Sequence, residues 1–265
     1  MTTLSDREFA DIQALLYREA GIKLAPGKKP MVSGRLSKRV AALGLPTYGA
    51  YYERIAHGRD PAELQRALDL LTTNETYFFR EPKHFEFLRD QALAKRGAGP
   101  MRVWSAASSS GEEAYSVAMV LAATLGDSPW EVVGTDISAR VLEQAVSGRY
   151  PMARTQGIPA EYLKRYCLKG VRSQEGHLLV DRSLRERVAF KLANLVEPQA
   201  QLGLFDVIFL RNVMIYFDQA IKQQVVANLL PRLKPGGYLF VGHSESLNGV
   251  SDALASVRPA IYRKE

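Results

Sequence analysis

The sequence predicts an α/β protein: a doubly wound, mostly parallel sheet with an N-terminal all-helical domain and a small antiparallel β insertion. Three observations predict it. From Arg102 onward, short apolar runs alternate with amphipathic helical stretches, as in successive βα units. Before about residue 72 the only periodicity is helical, broken by cap residues and closing glycines. Between about residues 166 and 187 the alternation gives way to a polar, basic stretch around Gly170 and Gly176, with Leu178 to Val180 as a short strand. The expected organisation is a helical domain over 1–72, a linker over 73–90 that contributes to the functional site, and a ligand-binding domain over 91–265 carrying the insertion at its sheet edge.

Taken in order, Ser5-Asp6-Arg7-Glu8 has the form of a capping box, and Phe9, Ile12, Leu16 and Ala20 mark one helical face that Gly21 closes. A second helix runs from about Lys29 to Leu43, with Val32, Leu36, Val40 and Leu43 inward. Its other face carries Arg35, Lys38 and Arg39, and from Gly21 to Val40 six basic residues meet no acidic one. Such a run can be a solvated helix face; the missing acids favour a contact surface for an acidic partner. Thr47 caps a third helix to about Ala56, and Asp60-Pro61 a fourth with Leu64, Leu68 and Leu71 inward. The linker from Thr72 to Arg80 joins hydrogen-bonding residues to three aromatics and an arginine. A domain junction accounts for the aromatics, less well for Asn74, Thr76 and Arg80. A helix from Pro82 to about Leu93 leads into the core.

The rest of the chain is organised around Arg102 to Glu113. Val103 and Trp104 read as strand, the six small residues Ala106 to Gly111 as a turn, and Gly111 to Leu125 as a helix with Val117, Val120, Leu121 and Leu125 on one stripe. In such a unit, small side chains let a ligand approach the backbone at the strand's carboxyl end; a tight turn without a ligand is the alternative. The next strand ends in Asp136, about 23 to 25 residues beyond Gly111 and Glu113, where an acid can accept ribose hydroxyls. Ser138 caps a helix to about Val146. After the insertion, Val188, Phe190 and Leu192 alternate along a strand that leads to Asn194 and Leu195. Phe205 to Leu210 is a buried strand with Arg211 and Asn212 at its tip. A helix from about Asp218 to Leu233 is ended by Lys234-Pro235-Gly236-Gly237, Tyr238 to Gly242 is the next strand, and Val257 to Tyr262 a last edge strand.

The turn is followed by no Gly-Lys-Ser/Thr and holds one glycine where a dinucleotide fingerprint would have three. Glu112 and Glu113 suit the positive end of the helix dipole but would repel a pyrophosphate there. The ligand is therefore expected to be a nucleoside without phosphates. S-adenosylmethionine fits, since its sulfonium tolerates carboxylates. Composition sets the frame: 265 residues, 46% hydrophobic and 24% charged, suit a folded chain with a sizeable core. No apolar run nears the roughly 18 residues of a membrane span, and the start shows no signal segment. The single cysteine, Cys167, fits a reducing, cytoplasmic setting. A net charge of +7 implies an acidic partner.

The order of these units resembles the class I S-adenosylmethionine-dependent methyltransferases. The strings T-T-N-E-T-Y-F-F-R-E, V-W-S-A-A-S-S-S-G-E-E-A-Y-S, F-L-R-N-V-M-I-Y-F-D and L-K-P-G-G-Y-L-F-V-G-H-S-E are similar to the chemotaxis receptor methyltransferases, the CheR family. The resemblance covers nearly the whole chain. It implies methyl transfer from S-adenosylmethionine to glutamate side chains on the cytoplasmic helices of chemoreceptors, leaving S-adenosylhomocysteine and glutamyl methyl esters. It implies that Asn74, Thr76 and Arg80 lie beside the cofactor and entering substrate. Glu113, with Glu112 as second choice, would hold the cofactor's amino-acid part, and Asp136 its ribose. Asn194, Leu195, Arg211 and Asn212 would line the rest of the pocket, and Tyr216 and Arg80 would face the methyl group. The polar Ser108-Ser109-Ser110 departs from a generic glycine-rich loop. The basic face of Arg35, Lys38 and Arg39 then has a partner in the acidic receptor bundle. In some members the β insertion docks an aromatic-acidic peptide from the receptor's C-terminus, with which a basic insertion is compatible.

The residue types agree with that chemistry. A carboxylate is already a nucleophile at neutral pH, so neither a general base nor a metal is expected, and His243 is read as structural. A nucleic-acid methyltransferase would share the cofactor and basic charge, but Arg211-Asn212-Val213-Met214 is not the Asn/Asp-Pro-Pro-aromatic string of base amino methylation. A non-catalytic scaffolding protein on the same fold is the other alternative, against which Arg80 and Tyr216 speak.

Overall fold

The computed structural model describes residues 3–94 and 99–265. Met1 and Thr2 of the start read above, and residues 95–98 of the expected ligand-binding domain, lie outside the described residues.

The chain begins with helices α1 (Asp6–Ala20), α2 (Lys29–Ala42), α3 (Tyr48–Ile55) and α4 (Pro61–Leu71). The capping box at Ser5 and Glu8 forms, and Gly21 closes α1 in the left-handed conformation. Phe9, Ile12, Leu16, Val32, Leu36, Val40 and Leu68 meet in one apolar cluster with Tyr48 and Tyr51.

The sheet domain contains α5 (Pro82–Phe87), β1 (Met101–Ser105), α6 (Glu112–Leu125), β2 (Trp130–Asp136) and α7 (Ala139–Ser147). It continues with β3 (Arg149–Pro151), α8 (Ala160–Tyr166), β4 (Cys167–Lys169), β5 (His177–Val180), α9 (Arg182–Arg185) and β6 (Val188–Leu192). It closes with β7 (Phe205–Leu210), α10 (Gln219–Leu229), β8 (Leu233–Val241), β9 (Leu254–Arg258) and β10 (Ile261–Lys264). The main sheet runs β6-β2-β1-β7-β8-β10-β9. Its first five strands are parallel, and β10 is antiparallel to both of its neighbours. Successive residues pack on opposite faces: Val103, Val132, Val207 and Phe209 lie in a cluster with α5 and α6, while Trp104, Val133, Ile208 and Leu210 pack with Val225, Val226 and Leu229 of α10. The strand order reverses between β1 and β7, so a crevice opens at their carboxyl ends.

The structure corrects the sequence reading in three places. The insertion begins at Arg149, not near residue 166: β3, β5 and β4 form a separate antiparallel sheet in that order, and residues beyond Asp181 leave it for α9. Tyr150 of β3 is fully buried and donates a 2.6 Å hydrogen bond to the Ser110 carbonyl, so the insertion also buttresses the small-residue turn. Lys234 to Gly237 do not precede β8 but lie within it. Leu233 pairs with Phe205, a register irregularity absorbs the turn-like residues, and Lys234 is held on Asp206 at 2.8 Å. Val257 to Tyr262 is not one strand: Ala260, at φ +63°, reverses the chain between β9 and β10.

Candidate functional site

The crevice between β1 and β7 deepens into a cavity of about 400 Å³. Its floor is the turn after β1. Ala106 donates its N–H to the Phe209 carbonyl and Ser108 to the Thr135 carbonyl, both at 2.8 Å, which locks the turn to the strands on either side. Gly111, at φ +93°, lets the turn enter α6, and a Cβ there would stand 2.8 Å from that of Ala145. The short side chains of Ala106 and Ala107 leave the cavity open above them.

Glu75, Glu113 and Asp136 are the acidic residues of its lining, and hydrogen bonds fix the last two. Asp136 accepts the Ser109 N–H at 2.9 Å and the Ser138 N–H at 3.0 Å, one on each oxygen. Glu113 accepts the Ser105 hydroxyl at 2.6 Å and Arg211 at 2.9 Å. Each carboxylate is thereby fixed in orientation and keeps acceptor capacity for a ligand. Burial raises both carboxyls above their ordinary values, against the lowering effect of Arg211 on Glu113 and of backbone N–H groups on Asp136. Glu112 is elsewhere: fully buried, paired with Arg154 and bonded to Ser110 at 2.7 Å, it is not part of the cavity wall.

The linker crosses the mouth of the cavity and contributes Asn74, Thr76 and Arg80 to its wall. Its aromatics split as a junction requires: Phe78 and Phe79 are buried, Tyr77 is half exposed. The strand of chain is clamped along its length. Ser109 donates to the Asn74 carbonyl at 2.8 Å, Arg154 to the Thr76 carbonyl at 3.3 Å, and the Phe79 N–H to Ser116 at 2.9 Å. Phe79 and Glu81 both take left-handed backbone conformations, at φ +56° and +59°, on either side of Arg80. For residues with a Cβ this costs about 1–3 kcal/mol each.

The opposite wall comes from the chain after β7. Arg211 is buried, pairing with Glu113 and, at 3.0 Å, with Glu81, and donating to the Arg80 carbonyl. Asn212, Tyr216 and Leu195 line the cavity. Tyr216 is half-buried, and burial raises its hydroxyl pKa, with the nearby Arg80 charge opposing. Asn194 also lines the cavity, but its amide donates to the Glu19 carbonyl at 2.6 Å and so ties the sheet domain to α1. Sequence reasoning missed the third wall. Ile22, Lys23 and Lys28, between α1 and α2, and Met31, in the first turn of α2, close the cavity from the helical side, where the Lys23 N–H bonds the Tyr216 carbonyl at 2.9 Å. No local motif marks these residues. Glu81, by contrast, ends a string read as informative, without a role being given to it.

The basic face of α2 is partly engaged within the protein. Arg35 is turned inward and donates to the Leu70, Leu71 and Thr72 carbonyls at 3.3, 3.0 and 2.9 Å, closing the end of α4. Arg39 pairs with the buried Glu63, which also accepts Tyr51 at 2.9 Å. Lys29 pairs with Asp6 at 2.6 Å. The acids absent from the local sequence arrive from other helices. Of the three residues expected to meet a partner, Lys38 alone is exposed.

Among the described residues, Glu81, His84 and His243 bring one potential metal-ligand atom each within 4.8 Å of one another. Glu81 is already occupied there by Arg211, by Asn212 at 3.2 Å and by the His243 N–H at 3.3 Å. Burial raises its carboxyl, but Arg211 first and then these hydrogen bonds bring it below the ordinary value of 4.5. His84 is buried, and burial and then the Arg211 charge push it down to about 3, so it is neutral.

The cavity as built suits a nucleoside bearing a positive charge. It offers a fixed carboxylate at the end of β2, a second at the start of α6, and a floor of small residues between them.

The chain resembles known proteins over most of its length. Residues 74–262 match the family described as CheR methyltransferase, SAM binding domain, and residues 7–72 match CheR methyltransferase, all-alpha domain. The chain is 45% identical over 248 residues to the chemotaxis protein methyltransferase of Escherichia coli (strain K12), covering 92% of this chain and 86% of that protein. It is 40% identical over 261 residues to chemotaxis protein methyltransferase 2 of Pseudomonas aeruginosa, covering 96% and 92%. Among solved structures, the N-methyltransferase NodS from Bradyrhizobium japonicum, in complex with S-adenosyl-L-homocysteine, aligns with a TM-score of 0.44 and 14% identity over 80% of this chain and 95% of that one.

Proposed function

The chain belongs to the CheR methyltransferase family, and on that premise we propose that it methylates glutamate carboxylates of chemoreceptors with S-adenosylmethionine, forming methyl esters. The observation that carries this reading is that Arg80 and Tyr216 share one cavity with Glu113 and Asp136.

When bound, S-adenosylmethionine supplies a methyl group on a positive sulfur and departs as a neutral thioether. Glu113 would hold the ammonium of its amino-acid part, and Asp136 would accept the ribose hydroxyls. Asn74, Thr76, Leu195 and Asn212 shape the walls around it, while Arg211 holds Glu113 in place. The incoming glutamate is ionised at neutral pH and attacks without a base. Arg80 draws it to the mouth, and the Tyr216 hydroxyl donates to the oxygen that does not attack. Orientation is the main contribution, worth up to about 7–11 kcal/mol in favourable cases. An arginine held too tightly on the attacking oxygen would blunt it, and Arg80 is instead held by the Glu75 carbonyl at 3.2 Å and over the Tyr77 ring.

The partner is the acidic cytoplasmic bundle of the receptor, which places the reaction in the cytoplasm. Lys38 on α2 and Lys23 and Lys28 at the cavity are the cations left to meet it. A receptor C-terminal peptide would add a strand to β4, whose outer edge is unpaired among the described residues and whose Leu168 is 52% exposed.

The test is incubation with methyl-labelled S-adenosylmethionine and chemoreceptor-containing membranes, followed by mild alkali. Label on the receptor band that leaves as volatile methanol is expected. Alkali-resistant label would overturn the ester assignment and favour amine or nucleobase methylation. No receptor label with cofactor binding intact would favour a scaffolding role.

A further inference from the structure

We infer that Glu81 is a positioning residue for methyl transfer: its carboxylate sets the place of Arg80 and, through Arg211, the orientation of Glu113. The inference deepens the proposed function and rests on it.

Glu81 follows Arg80 directly, and its side chain turns back under the chain to the tips of β7 and β8. There one oxygen accepts Asn212 at 3.2 Å, and the other lies 3.0 Å from Arg211. The His243 N–H lies 3.3 Å from both oxygens. Three donors from two strand ends thus converge on one carboxylate that is 12% exposed. The same arginine donates to the Arg80 carbonyl and to Glu113 at 2.9 Å. Glu81, Arg211 and Glu113 therefore form one continuous chain of charges, from the residue next to Arg80 to the residue proposed to hold the cofactor.

The backbone explains why an anchor is needed. Phe79 and Glu81 are both left-handed, an arrangement that relaxes unless its surroundings hold it. Phe79 is held by burial and by Ser116. Glu81 has no side-chain cap bond to the start of α5, so its hold is the cluster of donors at the strand tips. Loss of its charge would loosen the strap on the α5 side of Arg80, leaving the Glu81 carbonyl held by the His84 N–H at 3.0 Å. It would also leave Arg211 with one carboxylate where it now has two.

A metal-ligand role for the Glu81, His84 and His243 group is the weaker reading. A cation there would face the Arg211 guanidinium across a carboxylate whose oxygens already accept donors, and His84 would have to turn a nitrogen toward it from 3.4 Å.

The test is a double-mutant cycle of Glu81→Gln and Arg80→Ala in the full chain, assayed with labelled S-adenosylmethionine and chemoreceptor membranes. In the Arg80-containing protein, Glu81→Gln is expected to lower kcat about 10- to 100-fold, the scale of a misplaced reacting group. Receptor KM should stay within about threefold, and S-adenosylhomocysteine should bind several-fold more weakly through Glu113. In the Arg80→Ala protein, the further loss in kcat should be under about threefold, because the residue being positioned is gone. A merely structural Glu81 would give equal fold losses in both backgrounds. That result, or an unchanged kcat, overturns the inference. Glu81→Asp keeps the charge but shortens the reach; it should show a smaller kcat loss and carries the same cycle if Glu81→Gln melts below assay temperature. The unsubstituted chain run alongside separates the two readings. No alkali-labile receptor label from it removes both, whereas a labelled receptor with equal fold losses removes only the role of Glu81.

Discussion

Arg211, just past β7, donates a 2.9 Å hydrogen bond to Glu113 in the first turn of α6, and their side chains are only 1% and 12% exposed. The pair joins two segments 98 residues apart, and the Arg211 charge opposes the burial that raises the Glu113 carboxyl. Replacing Arg211 by Met should raise the Glu113 pKa further and leave more of it neutral near pH 7. S-adenosylhomocysteine should then bind at least about tenfold more weakly at pH 7, with part of the loss recovered at pH 9. Calorimetric titration at the two pH values checks this; an equal loss at both would show that charge on Glu113 is not what Arg211 maintains.

The raised carboxyls of Glu113 and Asp136 also set a pH dependence. Their folded-state values lie above the ordinary 4.5 and 3.8. Their contribution to ligand-free stability is therefore full below those ordinary values and is lost as pH rises through the raised ones. A cofactor that binds the ionised forms acts in the opposite direction. The rise in Tm caused by saturating S-adenosylhomocysteine should grow between about pH 5 and pH 7. Thermal melts with and without ligand across that range measure it, and a rise that shrinks with pH would contradict the assignment.

Asp136 uses one oxygen for each of two backbone N–H groups. Asp136→Asn replaces one acceptor by a donor and leaves a buried N–H unpaired, at a cost of about 1–3 kcal/mol. The expected result is a lower Tm together with a loss of S-adenosylhomocysteine affinity of about tenfold or more. Wild-type affinity in a folded variant would remove Asp136 from the proposed ribose contact.

Arg80 and Tyr216 stand on opposite walls of the cavity. Arg80→Ala should lower kcat about 100-fold, and Tyr216→Phe about tenfold, with S-adenosylhomocysteine affinity within about threefold in both. Steady-state methylation with separate ligand titration distinguishes these effects. Weakened binding with normal turnover at saturation would assign the two residues to the cofactor and away from the acceptor.

Lys38 and Arg39 are neighbours with different work. Lys38→Glu should raise receptor KM several-fold at low salt, with the difference fading as salt screens it, and leave Tm unchanged. Arg39→Glu places a like charge beside the buried Glu63 and should lower Tm by roughly 5 °C or more. Equal Tm values for the two variants would refute the structural role of Arg39.

The sequence by itself determined the layers and the floor of the site. Period-two and period-3.6 patterns, cap residues and a run of six small residues are local signals, because they reflect how neighbouring residues share a face or a turn. They suffice to put Ser109 in the turn after β1, Glu113 at the start of α6 and Asp136 at the end of β2, and the strings around Arg80 and Arg211 carry the family resemblance. Tertiary structure decided which charges are free. Glu112 and Glu113 are adjacent, yet one turns to Arg154 and the other to the cavity. Arg35 and Arg39 look like an open basic face until α4 supplies its carbonyls and Glu63. The wall formed by Ile22 and Met31, and the convergence of Arg211, Asn212 and His243 on Glu81, join segments far apart in the chain. Partners of that kind are set by how helices and strand ends pack against one another. A buried charge must find its counterpart in whatever element lies opposite, and the spacing of residues along the chain does not encode which element that is.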